Sequence, residues 1–442
     1  MTAESTSLDA QLNRELNAAR VMLREGRQVE AGESLHGILT RKPDHMEAMR
    51  LLANTALATG NPGQAIDWLN RAANLDRNNI AVLLDLGVAY RTAERLDAAR
   101  YVLERVLELT SGQELTARLL LAHVLEKDQR PELALLHYFR AVLDAQHAGR
   151  WLDDASTEPS LRTLVRHAMN YVDRGRHSLL DAALRPVRAS SEAGAMDRVQ
   201  RSLAIYLRQR DEPRDDPRQQ PRILYVPGLG AAPVIDQTPL HWMAGLIACM
   251  ATSTEEIDRC LQRADGRKTE AATFSVSETH ATYPPPTNLP APLADEMALY
   301  VAGKATEWTQ SDAPNLLACL AKAPLAHIPH HGPEVSIISL PPSVSMAVRH
   351  GRTNAHCSVV INLPGSKRID VVVGGSALPL QPGESLVLDP SFGMGYTNAS
   401  DSLARVLVFD IWHPKLSALE RDALSALFQA IVDFDTRLQE LA

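Results

Sequence analysis

Six histidines gather in the last third of the chain: His327, His330, His331, His350, His356 and His413. Imidazole is the commonest protein ligand for borderline metals, so such a grouping could hold one. His350 and His356 lie six apart, an even spacing that would put both on one face of an extended strand. The run His327-Ile-Pro-His-His331 reads as a loop just ahead of a strand, where a third ligand such as His330 could join them. Arg349, Arg352 and Arg405 offer the forked donors that bind carboxylates. The plainer reading of these histidines is a set of rim and surface side chains. No G-x-S-x-G, P-loop or dinucleotide fingerprint points to another chemistry.

The elements that must position these residues are short strands. Val359–Leu363, Arg368–Val373, Ser385–Leu388 and Arg405–Trp412 are rich in Val, Ile and Leu. Pro-Gly-Ser-Lys, Gly-Gly-Ser and Asp-Pro-Ser turns fall between them. Strands at this spacing predict a jelly-roll or cupin-like double-stranded β-helix barrel, a fold that often carries a metal in its mouth.

Two segments then carry a family resemblance. Leu340-Pro-Pro with Arg349-His350-Gly351-Arg352-Thr353-Asn354 is similar to a motif read roughly as L-x-P-G-T-x-x-x-x-H-T-G-x-T-N. Asp389-Pro-Ser-Phe392-Gly-Met394, then Arg405-Val-Leu-Val-Phe-Asp410-Ile-Trp412-His413-Pro414, is similar to F-D-D-S-F-x-H followed by R-x-x-L-x-x-D-x-W-H-P. Both motifs belong to the aspartyl/asparaginyl β-hydroxylases, which are Fe(II)- and 2-oxoglutarate-dependent oxygenases. The resemblance covers about residues 221–425, starting at Tyr225-Val-Pro-Gly. It holds at Gly351, Thr353, Asn354, Asp389, Ser391, Phe392, Asp410, Trp412 and Pro414.

What the resemblance implies for chemistry follows from its register. The family's two metal-binding histidines fall on Arg349 and Met394, and its 2-oxoglutarate arginine falls on Ala404, with Arg405 one place along. An arginine after the family's Asn becomes His356, and a later His becomes Val360. Arginine has no acceptor lone pair and thioethers suit soft metals, so neither replaces an Fe(II) ligand. A one-residue slip in a strand turns Arg405 to the other face. The expectation is a pseudoenzyme with no cofactor. The alternative is an active oxygenase using Fe(II) and 2-oxoglutarate, with His350, His356 and His330 as metal or catalytic residues and Arg405 or Arg349 for the co-substrate. A third reading keeps a carboxylate-binding pocket without turnover.

The chain has 442 residues and a net charge of −8, with no Lys/Arg block, which argues against a nucleic-acid partner. No apolar stretch is long enough to span a membrane, and the first residues do not form a signal peptide. Cys249, Cys260, Cys319 and Cys357 form no CxxC pair and are read as reduced thiols, with a cytoplasmic location.

Residues 12–148 repeat. Small residues recur at Ala19, Ala53, Gly87 and Ala122, and again at Ala31, Ala65, Ala99 and Ala134, spaced 34, 34 and 35 apart. Large residues at Leu35, Leu69, Leu103 and Tyr138 fill the layer between them. This resembles the tetratricopeptide repeat, here four copies stacking into an all-α solenoid. The resemblance implies a concave face that binds a protein or peptide, including an active paralogous oxygenase; Asn54, Asp85, Tyr90, Arg91 and His123 are its candidate lining.

The remaining segments complete the plan. Residues 1–11 read as a disordered start, 149–209 as a helical connector and 210–221 as a polar linker. The barrel takes 222–425, and 426–442 end the last helix. Ser253-x-x-Glu256 and Ser417-x-x-Glu420 fit capping boxes. Residues 264–290 read as a surface insertion or lid. The stripe Leu424, Leu427, Phe428, Ile431, Val432, Leu438 is core or, alternatively, a homodimer seam.

Overall fold

The computed structural model describes residues 3–192, 194–259 and 295–441. Cys260 and the 264–290 insertion lie outside them. The chain divides into two compact units: Met1–Arg176 with Arg437–Ala442, and His177–Thr436.

The first unit is helical. α1 (Ala3–Arg24), α2 (Gln28–Arg41), α3 (Met46–Ala58), α4 (Pro62–Leu75), α5 (Ile80–Thr92), α6 (Leu96–Leu109), α7 (Leu115–Lys127) and α8 (Pro131–His147) form four successive pairs. All seven alanines of the repeat pattern have no exposed surface, nor do Leu35, Leu69, Leu103 and Tyr138. The small residues let paired backbones approach. A Cβ placed on Gly87 would stand 2.6 Å from Leu103 Cδ2, which is overlap rather than contact. The predicted four-repeat solenoid stands. Its first helix begins at Ala3, so the chain is helical earlier than a disordered residues 1–11 would require.

α9 (Arg162–Ala189) is one continuous helix within the predicted connector, and the division between the units falls within it. Gly175 does not interrupt it, because the missing side chain gives Leu135 room: a Cβ there would lie 2.6 Å from Leu135 Cδ1. α10 (Asp197–Tyr206) follows. The stretch 210–221 is strapped to the barrel at its far end. Gln219 Nε2 donates to Gly230 O at 3.0 Å and to Asp389 Oδ2 at 2.8 Å, and Gln220 N donates to Ser391 O at 2.7 Å.

The second unit is built on two antiparallel sheets. Ten strands contribute: β1 (Asp295–Val301), β2 (Lys304–Ala305), β3 (Val335–Leu340), β4 (Val344–Ser345), β5 (His356–Asn362), β6 (Ile369–Val373), β7 (Ser376–Leu380), β8 (Ser385–Leu388), β9 (Met394–Asn398) and β10 (Ala404–Trp412). One sheet runs β2-β1-β3-β10-β5-β8 and the other β4-β9-β6-β7, the double-stranded β-helix predicted. Side chains alternate across β10. Ala404 and Val406 join the core with β6 and β9, while Leu407, Phe409 and Ile411 join a second core with the helices.

Those helices are α11 (Trp242–Thr252), α12 (Glu307–Asp312) and α13 (Pro314–Leu320). Cys249 and Cys319 join α11 to α13 as a disulfide, with Cα atoms 6.0 Å apart. This corrects the reading of these two as reduced thiols and removes the cysteine argument for a cytoplasmic location. Cys357 is free and buried. Glu256 does not close a capping box with Ser253. Its carboxylate accepts from Asn315 N, Asn315 Nδ2 and Leu316 N, capping α13, whose own N-cap, Ala313, has no side chain for the task.

The second predicted box does form. Ser417 N donates to Glu420 Oε2 at 2.9 Å and Glu420 N to Ser417 Oγ at 3.2 Å, opening α14 (Ala418–Gln439). Leu424, Leu427, Phe428 and Ile431 of that helix pack with Leu180, Leu203 and Trp412 inside one core. The stripe is therefore core, and the homodimer alternative loses its apolar surface. Among the described residues, no helix is long and apolar enough to cross a membrane.

Candidate functional site

The positions that match the family motifs turn out to be the frame of the barrel. Asn354 binds both backbone groups of Val226, accepting from its N–H at 2.7 Å and donating to its carbonyl at 2.8 Å. Thr353 Oγ1 accepts from Ala355 N at 3.0 Å. Asp389 accepts from Ser391 N at 2.9 Å, fixing the tight turn over Pro390–Phe392. A Cβ on Gly351 would come within 2.6 Å of Pro390, so that crossing needs glycine. His413 is buried and held neutral, its pKa pushed down to about 4 by burial and then by Lys415 and Arg198; Lys415 N donates to its Nδ1.

The positions where the resemblance expects chemistry also converge, but with other side chains. Arg349 and Met394 face each other directly across an antiparallel bridge, each N–H donating to the other's carbonyl at 2.8 Å. The register read from the two motifs is thus a spatial pairing. Met394 packs against the core between the sheets, which also contains Val360 and Ala404, both without exposed surface. Arg349 is exposed. Arg405 stands on the opposite face of β10 from Ala404, directly across from Ser339 of β3, with its Nε buried and unpartnered.

This donor set does not fit Fe(II) and 2-oxoglutarate. The two ligand positions hold a guanidinium and a thioether, and the co-substrate position holds a methyl group inside an apolar cluster. A dicarboxylate brought to Ala404 would lose its hydration among apolar side chains.

The candidate histidines are dispersed rather than assembled. His350 Nδ1 lies 2.8 Å from Ser391 O, and its ring stands over Gly393. His356 sits between Trp412 and Phe428, with ring centroids 4.7 and 5.4 Å away. Burial, with a smaller contribution from Arg352, pushes its pKa down to about 3, and its Nε2 has no partner. His330 is exposed, and His331 pairs with Asp433 at 3.1 Å. These residues do not form a three-ligand group: among the described residues the only such group of His, Cys, Asp or Glu is His123, Glu126 and His167.

What polar chemistry the barrel keeps centres on Asp410. Its carboxylate accepts from Ser358 Oγ at 2.8 Å across the β5–β10 pair. Its pKa is raised to about 6, chiefly by burial and then by Glu334, with Ser358 and Arg352 opposing. Arg352 itself bridges to Glu334 at 2.8 Å. Burial also raises the hydroxyl of Tyr396, on the same core face, with Asp410 and Glu296 adding to the effect. Asp410 can exchange a proton near pH 6 while Tyr396 stays protonated, and among the described residues these groups form no metal-ligand set.

In the solenoid unit, the candidate lining residues lie on the first helices of their pairs. Asp85 is paired with Arg50 at 2.7 Å. Asn54 is exposed, and Tyr90 reaches Asn70 at 3.4 Å. Arg91 has a buried, unpartnered Nε and lies close enough to Tyr138 and His123 to act on their charge states. His123 is held neutral, pushed down to about 4 by burial first and Arg91 second.

Comparison with known proteins agrees with both halves. Residues 255–414 match the family model described as Aspartyl/Asparaginyl beta-hydroxylase, and residues 22–86 match that of the tetratricopeptide repeat. No curated protein matches the chain. Similar solved structures include "MamA AMB-1 C2221", 25% identical over 30% of this chain and 79% of that one, with a TM-score of 0.27. A Thermobaculum terrenum O-GlcNAc transferase mutant is 22% identical over 33% of this chain and 28% of that one, TM-score 0.30. The Schizosaccharomyces pombe Cnp3 cupin domain is 10% identical over 18% of this chain and 56% of that one, TM-score 0.17. The chain carries a tetratricopeptide segment and an aspartyl/asparaginyl β-hydroxylase-like domain.

Proposed function

We propose that this chain is a binding and presenting protein. Its hydroxylase-like barrel has exchanged iron and 2-oxoglutarate chemistry for a packed interior, and its repeats dock a protein or peptide. In this reading it acts as a substrate-presenting or regulatory partner, for instance of an active oxygenase of the same family. The observation that carries the reading is the shared apolar cluster of Met394, Val360 and Ala404. Single substitutions at a metal site can be rescued by a neighbouring residue. Replacement of both ligand positions and the co-substrate position removes the coordination and the charge recognition together.

The test is turnover. Full-length protein supplied with Fe(II) and 2-oxoglutarate under air should release no succinate beyond the buffer background, with or without candidate peptides. Succinate release abolished by His350→Ala would overturn the proposal, because it would demand a ligand set shifted by one residue.

A further inference from the structure

The solenoid unit contains a polar knot that joins His123, a candidate lining residue, to Glu126 and His167. His123 and Glu126 lie one turn apart on the same face of α7, and His167 reaches them from α9. Glu126 Oε2 is 2.7 Å from His167 Nε2 and 3.8 Å from His123 Nδ1. All three residues are half-buried, and the three ligand atoms lie within 4.8 Å of one another.

From this geometry we propose that His123, Glu126 and His167 form a divalent-metal site of the zinc class. Ligands about 2.0–2.1 Å from a tetrahedral zinc ion stand roughly 3.3–3.5 Å from one another, and the two measured separations bracket that value. Two imidazoles and one carboxylate make a three-ligand set of mixed nitrogen and oxygen donors, which leaves a fourth position for water. The carboxylate is already oriented from behind: Tyr138 Oη on α8 donates to Glu126 Oε2 at 2.8 Å, the outer-shell hydrogen bond that fixed metal carboxylates normally have. In the empty site Tyr138 Oη also lies 3.2 Å from His123 Nδ1, a contact that ligation by that nitrogen would replace. Without metal, Glu126 is satisfied by His167 and Tyr138. Arg91, and to a smaller extent Lys127, are adverse neighbours: their charge opposes a dication, which limits affinity and favours a hydroxide or other anion at the fourth position. Bound metal would tie the last repeat to the helix that follows it.

The experiment uses full-length protein without a histidine tag, stripped with chelator and titrated with Zn(II), with Co(II) as a spectroscopic probe. The expected result is one equivalent of Zn(II), a tetrahedral Co(II) visible spectrum, and a rise in melting temperature on adding zinc. His167→Ala and His123→Ala should each lose all three. Tyr138→Phe should keep the stoichiometry and bind about ten-fold more weakly, as expected for an outer-shell group. Should either alanine variant fail to fold, Glu126→Gln takes its place, since the amide preserves volume and hydrogen bonding but not ligation. The assignment is overturned if the wild-type protein binds no zinc, or if folded Glu126→Gln or His167→Ala retains the equivalent unchanged.

Discussion

The frame of the barrel and its interior differ in a way that separates fold from chemistry. In the frame, Asn354 clamps Val226, Asp389 holds its turn and Gly351 permits the close approach to Pro390, all at positions that match the family motifs. Met394, Val360 and Ala404 stand where the resemblance expects reactive groups, and they pack in an apolar cluster. The lesson is that a double-stranded β-helix needs its turn and clamp residues whether or not it binds iron. Buried donors without partners are costly, which favours apolar side chains wherever a barrel interior binds no polar group.

The comparison can be broken most forcefully from inside. Ala404→Arg restores the family's guanidinium but buries it among Val406, Val371 and Ile338 without a counter-charge. It should cost about 4 kcal/mol in denaturant unfolding. If the variant is as stable as the wild-type protein, the interior is more open and polar than the packing implies. On the frame, Asn354→Ala strands a buried N–H and C=O of Val226, for an expected loss of about 3 kcal/mol at equilibrium.

Asp410 sits where frame and interior meet, and it should reveal itself through pH. Its folded pKa, about 6, lies above the ordinary value of 3.8, so the native state holds a proton that the unfolded chain gives up. The stabilisation from that proton is complete below pH 4 and lost as pH rises through 6, amounting to about 2 kcal/mol after allowance for partial solvent access. Asp410→Asn should remove this fall and be the more stable protein at pH 7, as measured by melts across pH 4–8. The smallest effect belongs to Arg349→Ala. That side chain is exposed, so its loss should change stability by no more than about 0.5 kcal/mol, in contrast to a residue that organises a site.

Much of this is legible in the amino-acid sequence. A period of 34 with small residues at fixed places fixes the helix pairs, because a bulky side chain at Gly87 would collide with Leu103. The two motif registers placed Arg349 and Met394 at equivalent sites, and the two residues pair across strands. The even and odd positions of β10 sorted Ala404 from Arg405 for the same reason. Other features had no local signal. The Cys249–Cys319 disulfide spans 70 residues, and nothing in its flanking sequence marks the pair. Glu256 satisfied a capping-box spacing but serves another helix, a choice made by tertiary packing. His167 came from a stretch without repeat register, so its meeting with His123 and Glu126 could not be read from spacing.

The central claim is that the barrel no longer assembles an Fe(II)–2-oxoglutarate complex. The most direct test is anaerobic titration of 2-oxoglutarate into Fe(II)-supplied protein, followed by the visible charge-transfer absorption of chelated iron. His167→Ala serves as the background, so that the solenoid cannot contribute metal. The account predicts no such band and no saturable 2-oxoglutarate binding in the folded protein. A stoichiometric band that disappears in His350→Ala would contradict it and return the barrel to the active oxygenases.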